Sequence, residues 1–579
     1  MKRLRSRVWA CLAIGCVFLA LGAGAEPATP TLSDQIDELF ADRNNSAAPG
    51  VVAAVIQDGR IVYENAFGMA DLERGVALTP RSVFEIGSVS KQFTAMCILL
   101  LEQDGKLSLD DDVRDYFPEL PEYEHPITIR HLLHHTSGMR DIETLIPLAG
   151  WHYTNYYPPA RQLELITRQK ELNFAPGSQF LYSNSGYLLL AYMVERVSGQ
   201  TLREFADERI FRPLGMSHTV YWDTPGQIIK DRAIPYSTGP DGSYEMALWY
   251  LPFAGPSGLY TTIQDLALWD ANFYDNKLSG GAALIERMVT PGTLNDGKSA
   301  DYAAGLFVSD YGGQAVIEHG GAWMGYRAQV SRFPERRLTV IFLSNASSID
   351  VPVSSVADLL PGGATREAAP ATPESRPSES EAPGTVDLPL DALAEYEGTY
   401  WSEPDLLLRT IEVRDGVLHY VRGEDNSTEL GALEAGRFVM IDVGALVEVE
   451  FATGNGIQAR SMTVTIEEQE PTQFKRLESL PVGSLADYAG RYWSDELERE
   501  LRLQVEDGRI HLGWADDALV APTVQIGPDD LLARHFVAVP WYPQDVRILL
   551  ERDDSNQVTG LSLSCDMVRG LAFVRTDQE

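Results

Sequence analysis

The sequence predicts an α+β domain followed by two small antiparallel β-barrels. Three observations support this fold class. Helix-like and strand-like patterns mix over about the first 355 residues. A stretch of Ala, Pro, Ser, Thr, Glu and Gly then runs from about 361 to 383 with almost no large apolar residue. Beyond it, strand-like alternation dominates, and one segment recurs at an offset of 92 residues.

The low-complexity stretch has too little apolar surface to bury a core, so we interpret it as a linker. At 579 residues the chain is also too long for one hydrophobic core, which favours several folding units. The predicted division is a leader at 1–25, the α+β domain at 26–355, the linker at 356–386, and barrels at 387–479 and 480–579.

The composition excludes several classes of partner. Hydrophobic residues make up 44% of the chain and charged residues 22%, which is typical of a globular protein. The formal net charge is -36, and such a charge repels nucleic-acid phosphates and anionic lipid headgroups. We therefore expect no nucleic acid and no membrane surface as a partner.

The first 25 residues predict a signal peptide. Basic residues at 2, 3, 5 and 7 precede an apolar run from 8 to 23 and a small-residue cleavage site, Ala-Gly-Ala, at 23–25. The run is shorter than the roughly 20 residues that span a bilayer. We expect a periplasmic or secreted protein with no stable membrane insertion after cleavage. A lipoprotein processed at Cys16 is the alternative, although the apolar stretch continues beyond it to Leu21.

The C-terminal region contains an internal repeat. The segment at 393–402 reads LAEYEGTYWS and recurs as LADYAGRYWS at 485–494, and 11 of the 27 positions from 393 to 419 are identical to their partners. Asp-Gly pairs at 415–416 and 507–508 keep the register and are typical of hairpin turns. Each copy is expected to close as a barrel, since closure removes exposed strand edges. The Tyr-Trp pairs could line a ligand cavity, but we interpret them as core.

The α+β domain contains two predicted hairpins. The segments 51–57 and 61–66 alternate on either side of an Asp-Gly pair. The segments 326–333 and 338–343 flank a Pro-Glu pair near the end of the domain. Both hairpins are rich in apolar residues, so they could pair to build one antiparallel sheet.

Ser88 and Lys91 are the first candidates for chemistry. They stand three residues apart at the start of a helix-forming stretch, where they would share one helix face. A hydroxyl is a poor nucleophile until a neighbouring base takes its proton, and a buried lysine can lose its own proton to act as that base. The same spacing also occurs by chance in an exposed serine and a solvated lysine, so further residues must decide.

A Tyr-x-Asn element occurs three times, beginning at Tyr153, Tyr182 and Tyr274. Tyr182 precedes an apolar helix predicted over 187–197, and a loop at a helix start commonly presents active-site groups. Tyr153 lies in an aromatic loop and Tyr274 ends an amphipathic helix, so packing is the simpler interpretation for both. We therefore select Tyr182 with Asn184.

The third element is His-Gly-Gly-Ala at 319–322, whose glycines would let a backbone lie close against a substrate. In order and rough spacing, the three elements resemble the three motifs of the serine β-lactamase and penicillin-binding-protein superfamily, in its class C-like branch. The elements are Ser88-x-x-Lys91, Tyr182-x-Asn184 and His319-x-Gly321. Stretches at 129–138, 210–216 and 258–262 are also similar, so the resemblance covers about 31–350.

The resemblance implies a β-lactamase-like domain, with an antiparallel sheet flanked by helices, a helical subdomain and a site between them. It implies that Ser88 is acylated, that Tyr182 and Lys91 move protons, and that Asn184 orients lysine and substrate. The implied site residues are, for catalysis, Ser88, Lys91 and Tyr182; for substrate binding, Asn184, His319 and Gly321; and for the oxyanion hole, the backbone N–H groups of Ser88 and Ala322.

Three histidines, His131, His134 and His135, could bring imidazoles near one metal ion. No carboxylate accompanies them in the zincin arrangement, and a similar segment is structural in the superfamily. We therefore expect no metal and no cofactor.

His319 departs from the family pattern, in which many members carry lysine. An imidazole is only partly charged near neutral pH, so we expect weaker binding of substrate carboxylates, a loss of capture as pH rises, and weak or absent β-lactamase activity. A histidine here, together with two C-terminal barrels, resembles bacterial D-aminopeptidases and D-stereospecific peptidases.

Three functions remain open at this point. The first is a serine peptidase or amidase that acts on D-residue-containing peptides or peptidoglycan-like substrates. The second is an esterase, which would use the same nucleophile on a small ester. The third is a binding protein whose barrels capture peptidoglycan or a partner beside a vestigial hydrolase domain. Intact motifs argue against the third function, and the sequence leaves the oligomeric state open.

Overall fold

The computed structural model describes residues 30–152, 154–239, 241–347, 353–360, 385–386, 388–402, 407–414, 416–423, 426–441, 443, 446–453, 459–466, 471–477, 485–515, 520–527, 529–538 and 543–576. The predicted signal peptide, Tyr153 and most of the predicted linker lie outside these residues.

The N-terminal domain combines helices with one main sheet. Its helices are α1 (Leu32–Glu38), α2 (Lys91–Gln103), α3 (Ile129–Leu133), α4 (Ile142–Leu148), α5 (Pro159–Thr167), α6 (Asn184–Ser198), α7 (Leu202–Ala206), α8 (Arg212–Leu214), α9 (Ile263–Tyr274), α10 (Gly281–Val289) and α11 (Val353–Asp358). Its strands are β1 (Val51–Gln57), β2 (Arg60–Phe67), β3 (Met69–Asp71), β4 (Val76–Ala77), β5 (Phe84–Glu85), β6 (Val220–Tyr221), β7 (Tyr236–Thr238), β8 (Tyr244–Met246), β9 (Leu259–Thr261), β10 (Phe307–Tyr311), β11 (Gln314–Trp323), β12 (Tyr326–Phe333) and β13 (Leu338–Ser344).

Six strands form the main antiparallel sheet, in the order β10-β11-β12-β13-β1-β2. The two predicted hairpins are its β1–β2 and β12–β13 pairs, and β1 joins them by pairing along its whole length with β13. Asp58 and Gly59 have positive φ angles of 52° and 72°, which match the tight turn predicted there. The prediction that both hairpins share one sheet is confirmed.

The main sheet is buried on both faces. Because successive strand residues point to opposite sides, the even-numbered residues of β1 from 52 to 56 pack into the large core that contains α2 and α6. The odd-numbered residues from 51 to 55 pack into a smaller core with α1 and α11. Val356, Ala357 and Leu360 belong to this smaller core, so the folded domain extends a few residues beyond the expected boundary at 355.

Helix α2 lies at the centre of the large core. All its residues from Lys91 to Leu101 are buried, as expected for a helix that is apolar around its circumference. The longest described helix, α6, has 15 residues and packs on α2. No helix in the described part of the chain combines the length and apolar character that crossing a membrane requires.

The C-terminal region forms two closed barrels of eight antiparallel strands each, which confirms the prediction of tandem barrels. Barrel 1 follows α12 (Leu390–Leu393) and contains β14 (Gly398–Ser402), β15 (Leu407–Arg414), β16 (Val417–Gly423), β17 (Asn426–Glu434), β18 (Arg437–Met440), β19 (Val447–Thr453), β20 (Ala459–Ile466) and β21 (Thr472–Arg476). Barrel 2 contains β22 (Gly490–Ser494), β23 (Arg499–Glu506), β24 (Arg509–Trp514), β25 (Val520–Gly527), β26 (Asp530–Ala538), β27 (Pro543–Arg552), β28 (Val558–Cys565) and β29 (Val568–Arg575).

In each repeated Tyr-Trp pair, only the tyrosine packs inside its barrel. Tyr400 and Tyr492 are fully buried. Trp401 instead packs against Leu408 and Leu532, where the barrels meet, and Trp493 is 38% exposed. Adjacent strand residues point to opposite faces, so only one member of each pair can face the barrel interior.

Candidate active site

The serine and lysine of the first motif meet at the start of α2. Ser88 lies in a short 3-10 turn, Gly87–Ser90, that leads directly into the helix at Lys91. Lys91 Nζ donates to Ser88 Oγ at 3.0 Å. Ser88 is partly exposed whereas Lys91 is fully buried. A substrate can therefore reach the hydroxyl while the amine stays within the protein.

Two further oxygens hold the Lys91 amine. Nζ donates to Asn184 Oδ1 at 2.8 Å and to the Pro256 carbonyl at 3.0 Å. Burial lowers the pKa of Lys91 to about 7, and nearby carboxylates oppose that shift through their negative charge. A substantial fraction of the amine is therefore neutral near pH 7 and can take a proton from Ser88.

Tyr182 lies two residues before α6, which begins three residues earlier than the helix predicted over 187–197. Its ring lies beneath the Lys91 amine, with 4.7 Å between Nζ and the ring centroid. Its hydroxyl is buried and has no hydrogen-bond partner of normal geometry among the described residues. Burial raises the pKa of Tyr182 well above its usual value of 10, although the neighbouring Ser88 side chain opposes this shift. The phenol therefore keeps its proton at neutral pH.

Asn184 connects the lysine to a pair of carboxylates. Its Nδ2 donates to Glu143 Oε2 at 2.7 Å, and its backbone N–H donates to Asp141 Oδ1 at 2.6 Å. Asp141 is also the N-cap of α4, where it accepts the N–H of Thr144 at 3.1 Å. Sequence reasoning missed both carboxylates. Asp at an N-cap with Glu in the first turn is a detectable helix start, but it does not indicate contact with a residue some 40 positions away.

Strand β11 passes unusually close to the Gly87–Ser90 turn that carries Ser88. A Cβ added to Gly321 would stand 2.0 Å from the Ile86 carbonyl oxygen, and one added to Gly87 would stand 2.5 Å from the Ala322 nitrogen. Gly87 also has a φ of 52°. Glycine is required at both positions, and the approach brings the backbone of Ala322 beside that of Ser88. The resemblance implies an oxyanion hole at this place.

His319 lies inside β11, a strand that the sequence analysis did not predict. It is 2% exposed. Its Nδ1 lies 2.5 Å from the Gly320 carbonyl oxygen and its Nε2 lies 3.0 Å from the Tyr302 hydroxyl. Because a carbonyl can only accept, the proton sits on Nδ1, and Nε2 accepts from Tyr302. Burial lowers the pKa of His319 to about 3, and the charge of Lys91 adds to this effect.

The imidazole of His319 is therefore neutral at physiological pH. The partial positive charge that the sequence analysis expected at this position, and the loss of carboxylate capture derived from it, depended on an unperturbed pKa. Burial removes that charge.

Glu85 supports the turn that carries Ser88 from within the protein. Its carboxyl group accepts the N–H of Gly87 at 2.8 Å and the N–H of Gly258 at 2.7 Å. Burial raises the pKa of Glu85 to about 8. Sequence reasoning missed this residue, and its position three residues before Ser88 was the only available signal.

Of the other two Tyr-x-Asn elements, the one that begins at Tyr274 does not join this site in the described structure. Tyr274 ends α9, which packs on β1 and β13, and the ring lies 4.4 Å from the Arg337 guanidinium. Tyr153 lies outside the described residues, so the choice between it and Tyr182 rests on the contacts of Tyr182.

The three histidines near α3 contact separate backbone groups. The partners are the Thr128 N–H for His131, the Tyr302 carbonyl for His134 and the Ser183 N–H for His135. The His135 ring also packs on Tyr182, with 4.2 Å between centroids. Within the described residues, no group of three or more His, Cys, Asp or Glu side chains is placed to hold a metal ion.

Comparisons with known proteins extend these observations. Residues 36–359 match the Beta-lactamase family model. The D-aminopeptidase of Brucella anthropi is 29% identical over 549 residues, covering 92% of this chain and 96% of the relative. The D-aminopeptidase of Brucella canis is 28% identical over 554 residues with the same coverage. The octameric penicillin-binding protein homologue from Pyrococcus abyssi has a similar fold, with a TM-score of 0.53 and 24% identity over 77% of this chain and 99% of that one.

The family model covers more than half of the chain, and it spans all three motifs from Ser88 to Gly321. The chain therefore belongs to the Beta-lactamase family.

Proposed function

We propose that this protein is a serine hydrolase that cleaves amide bonds of D-aminoacyl substrates through an acyl-enzyme. The observation that carries the proposal is the 3.0 Å contact between a buried Lys91 amine and Ser88 Oγ. Two relatives named D-aminopeptidase, similar over nearly their whole length, support the choice of substrate.

The acylation step follows from the protonation states of the site. Neutral Lys91 takes the proton of the Ser88 hydroxyl while Oγ bonds to the substrate carbonyl carbon. The backbone N–H groups of Ser88 and Ala322 would stabilise the negative charge on the carbonyl oxygen. As the C–N bond breaks, Tyr182 gives its proton to the leaving amine and regains one from Lys91.

Deacylation uses the same groups in the same order. A water molecule gives one proton to the lysine–tyrosine pair while its oxygen bonds to the acyl carbon. The ester bond to Ser88 then breaks, and Oγ recovers a proton. The products are the free acid and the restored enzyme.

The charge of the site favours a substrate with an amino group. Glu143 accepts from the Asn184 side chain at 2.7 Å, and Asp141 accepts from its backbone N–H at 2.6 Å. His319 is neutral, so the third motif provides no fixed positive charge that could bind a substrate carboxylate. A substrate that carries an ammonium group near the scissile bond would gain from Glu143, whereas a carboxylate would be repelled.

A panel of chromogenic substrates tests the proposal. We expect hydrolysis of D-alanine p-nitroanilide and much slower hydrolysis of its L-enantiomer, of N-acetyl-D-alanine p-nitroanilide and of a chromogenic cephalosporin. Glu143→Gln should raise KM for the free-amine substrate and leave that of the N-acetyl compound nearly unchanged. Turnover of p-nitrophenyl acetate alone, without any anilide, would favour an esterase.

We also propose that the enzyme is exported. The leader pattern at 1–25 supports this location. Cell fractionation with N-terminal sequencing tests it, and the expected mature protein is extracytoplasmic and begins at Glu26. A retained leader that carries lipid on Cys16 would favour the lipoprotein alternative.

A further inference from the structure

The two barrels of the repeat differ in how they contact the rest of the chain. Barrel 1 encloses an apolar core of its own, which includes Tyr400 and Leu418. The apolar core of barrel 2, which includes Tyr492 and Trp514, is continuous with that of the N-terminal domain. Barrel 2 therefore packs directly on the N-terminal domain, and several of its polar contacts there are made with α4 and with Arg140, which precedes the N-cap of that helix.

Barrel 2 holds both ends of α4. At the C-terminal end, Arg499 Nη1 donates to the carbonyl groups of Pro147 and Leu148 at 3.2 and 3.0 Å, where a cation also suits the helix dipole. At the N-terminal end, the Asp141 N–H donates to the Met567 carbonyl at 3.2 Å. The active-site carboxylates of α4 thus stand on a helix that barrel 2 contacts at two points.

Arg140 is the centre of this interface, and its side chain is fully buried. Nη1 donates to Glu496 Oε2 at 2.6 Å and to Gln169 Oε1 at 3.1 Å. Nε and Nη2 donate to the carbonyl groups of Arg569 and Gly570 at 3.0 and 2.9 Å. Three of these four acceptors belong to barrel 2.

Short hydrogen bonds connect Arg140 to the catalytic lysine. The Arg140 carbonyl accepts from Ser185 Oγ at 2.6 Å, and the adjacent Asp141 accepts the Asn184 N–H at 2.6 Å. Asn184 in turn accepts from Lys91 at 2.8 Å. A displacement of Arg140 would therefore change the position of Lys91 through Asp141 and Asn184.

We propose that barrel 2 positions the catalytic lysine: Glu496 holds Arg140, and Arg140 in turn fixes the start of α4. Glu496 is then a positioning residue, which acts on the lysine through Arg140 and does not touch the substrate. The inference rests on the proposed role of Ser88 and Lys91. Removal of the Glu496 charge would leave the buried Arg140 cation without a counter-charge, which disturbs its surroundings strongly.

The sequence of the repeat assigns this role to one barrel. Near the start of each copy, the offset of 92 pairs Glu496 with Pro404 and Arg499 with Leu407. The first copy therefore lacks the two side chains with which the second holds α4.

The pH profile of the reaction can separate positioning from simple loss of folded protein. The groups that face Lys91 are the carboxyl groups of Glu85, Asp141 and Glu143 and the neutral rings of Tyr182, Tyr187, His135 and His319. An unneutralised Arg140 and a displaced Asp141 would both disfavour protonated Lys91. The acid limb of activity should then move to lower pH.

The test compares Glu496→Gln with Glu498→Gln in the full chain. Glu498 lies in the same interface but pairs with Arg168 at 2.7 Å, so its variant is the matched control. The measurements are the rate of Ser88 labelling by a fluorophosphonate across pH, and kcat and KM on D-alanine p-nitroanilide. For Glu496→Gln we expect labelling and kcat to fall about tenfold to a hundredfold, with little change in KM and a shifted acid limb. Glu498→Gln should keep the wild-type values.

Asn173→Ala is a second variant that changes no charge. Asn173 donates to the Met567 carbonyl at 3.1 Å and accepts the Arg569 N–H at 2.8 Å, so its loss loosens the same turn of barrel 2. We expect slower labelling with an acid limb that moves less than in Glu496→Gln, because Arg140 keeps its counter-charge, and this variant decides the matter if Glu496→Gln does not fold.

A wild-type labelling rate in either folded variant would overturn the proposal. Labelling requires an activated Ser88 but no D-aminoacyl substrate, so both variants remain informative if no such substrate is hydrolysed. That result would count against the proposed function alone.

Discussion

Tyr302 and His319 form a buried hydrogen bond, in which the Tyr302 hydroxyl donates to Nε2 at 3.0 Å. Burial raises the pKa of Tyr302 well above 10, so the tyrosine remains a donor. The bond stabilises the neutral imidazole with its proton on Nδ1. The third motif therefore contributes shape and hydrogen bonding to the site. The charge of the site is determined by Lys91 and by the carboxylates around Asn184.

The first prediction concerns this neutral imidazole. His319→Gln keeps a side-chain amide that can accept from Tyr302, so we expect kcat/KM to fall less than about tenfold and its pH profile to keep its midpoint. The profile is measured on the preferred amide substrate from about pH 5 to 8. A midpoint that moves in this variant would restore the charged role first expected for His319.

The second prediction concerns the nucleophile. Ser88→Ala removes only the hydroxyl at a partly exposed position, so the protein should fold while losing turnover and covalent labelling. Circular dichroism and labelling by a fluorophosphonate or a β-lactam probe measure the two properties. Retained labelling at another serine would contradict the assignment of Ser88.

The third prediction is the direction of the pH dependence. Lys91 must be neutral to accept the Ser88 proton, and its pKa is lowered to about 7, so labelling of Ser88 should rise as pH increases through about 7. Glu143 is the first of the carboxylates that raise this pKa. Glu143→Gln should therefore move the midpoint to lower pH. A midpoint that moves to higher pH, or a rate that falls as pH rises through this range, would exclude Lys91 as the base.

The fourth prediction separates the tyrosines. Tyr182→Phe removes the buried hydroxyl next to Ser88, and loss of a proton donor in the transition state should lower kcat about a hundredfold or more. Tyr274→Phe removes a hydroxyl on α9 and serves as the matched control, with kcat nearly unchanged. Tyr153→Phe is also expected to be nearly silent, and a large loss of kcat there would show that the wrong Tyr-x-Asn element was selected.

The sequence predicted those parts of the site that depend on local geometry. The Ser88–Lys91 contact follows from three-residue spacing at a helix start, and the β1–β2 hairpin follows from its Asp-Gly turn. Asp141 and Glu143 were missed because they meet Asn184 only through tertiary folding, across 43 and 41 positions. The charge of His319 was misjudged for a related reason, since its pKa depends on burial in a strand that carries no strong sequence signal.

The packing of the two Tyr-Trp pairs was predicted only in part. Aromatic residues in an alternating pattern indicated a core, and Tyr400 and Tyr492 fulfil that expectation. The partner tryptophans lie one residue further along each strand and must face outward. Their surroundings, a barrel–barrel contact for Trp401 and partial exposure for Trp493, depend on domain packing that the sequence does not encode locally.

The last prediction tests the close approach of β11 to the Ser88 turn, Gly87–Ser90. In Gly321→Ala the new Cβ would stand 2.0 Å from the Ile86 carbonyl oxygen and 3.2 Å from the Ser88 nitrogen, so backbone must move. We expect a loss of about 1–3 kcal/mol in the free energy of unfolding. We also expect kcat to fall about a hundredfold or more, because the N–H groups of Ser88 and Ala322 would separate.

Gly320→Ala is the matched control for this prediction, since it adds the same methyl group one residue earlier in β11. There the nearest atom is Gln329 Oε1 at 2.9 Å, the end of a flexible side chain that can turn aside, and the next nearest atom is the Ala328 carbonyl oxygen at 4.0 Å. Its stability and kcat should therefore stay close to wild type. Denaturant unfolding and steady-state kinetics on both variants measure the difference. If kcat fell as much in Gly320→Ala as in Gly321→Ala, the loss would come from disturbance of the whole strand. The specific contact between β11 and the Ser88 turn would then not explain the loss of kcat.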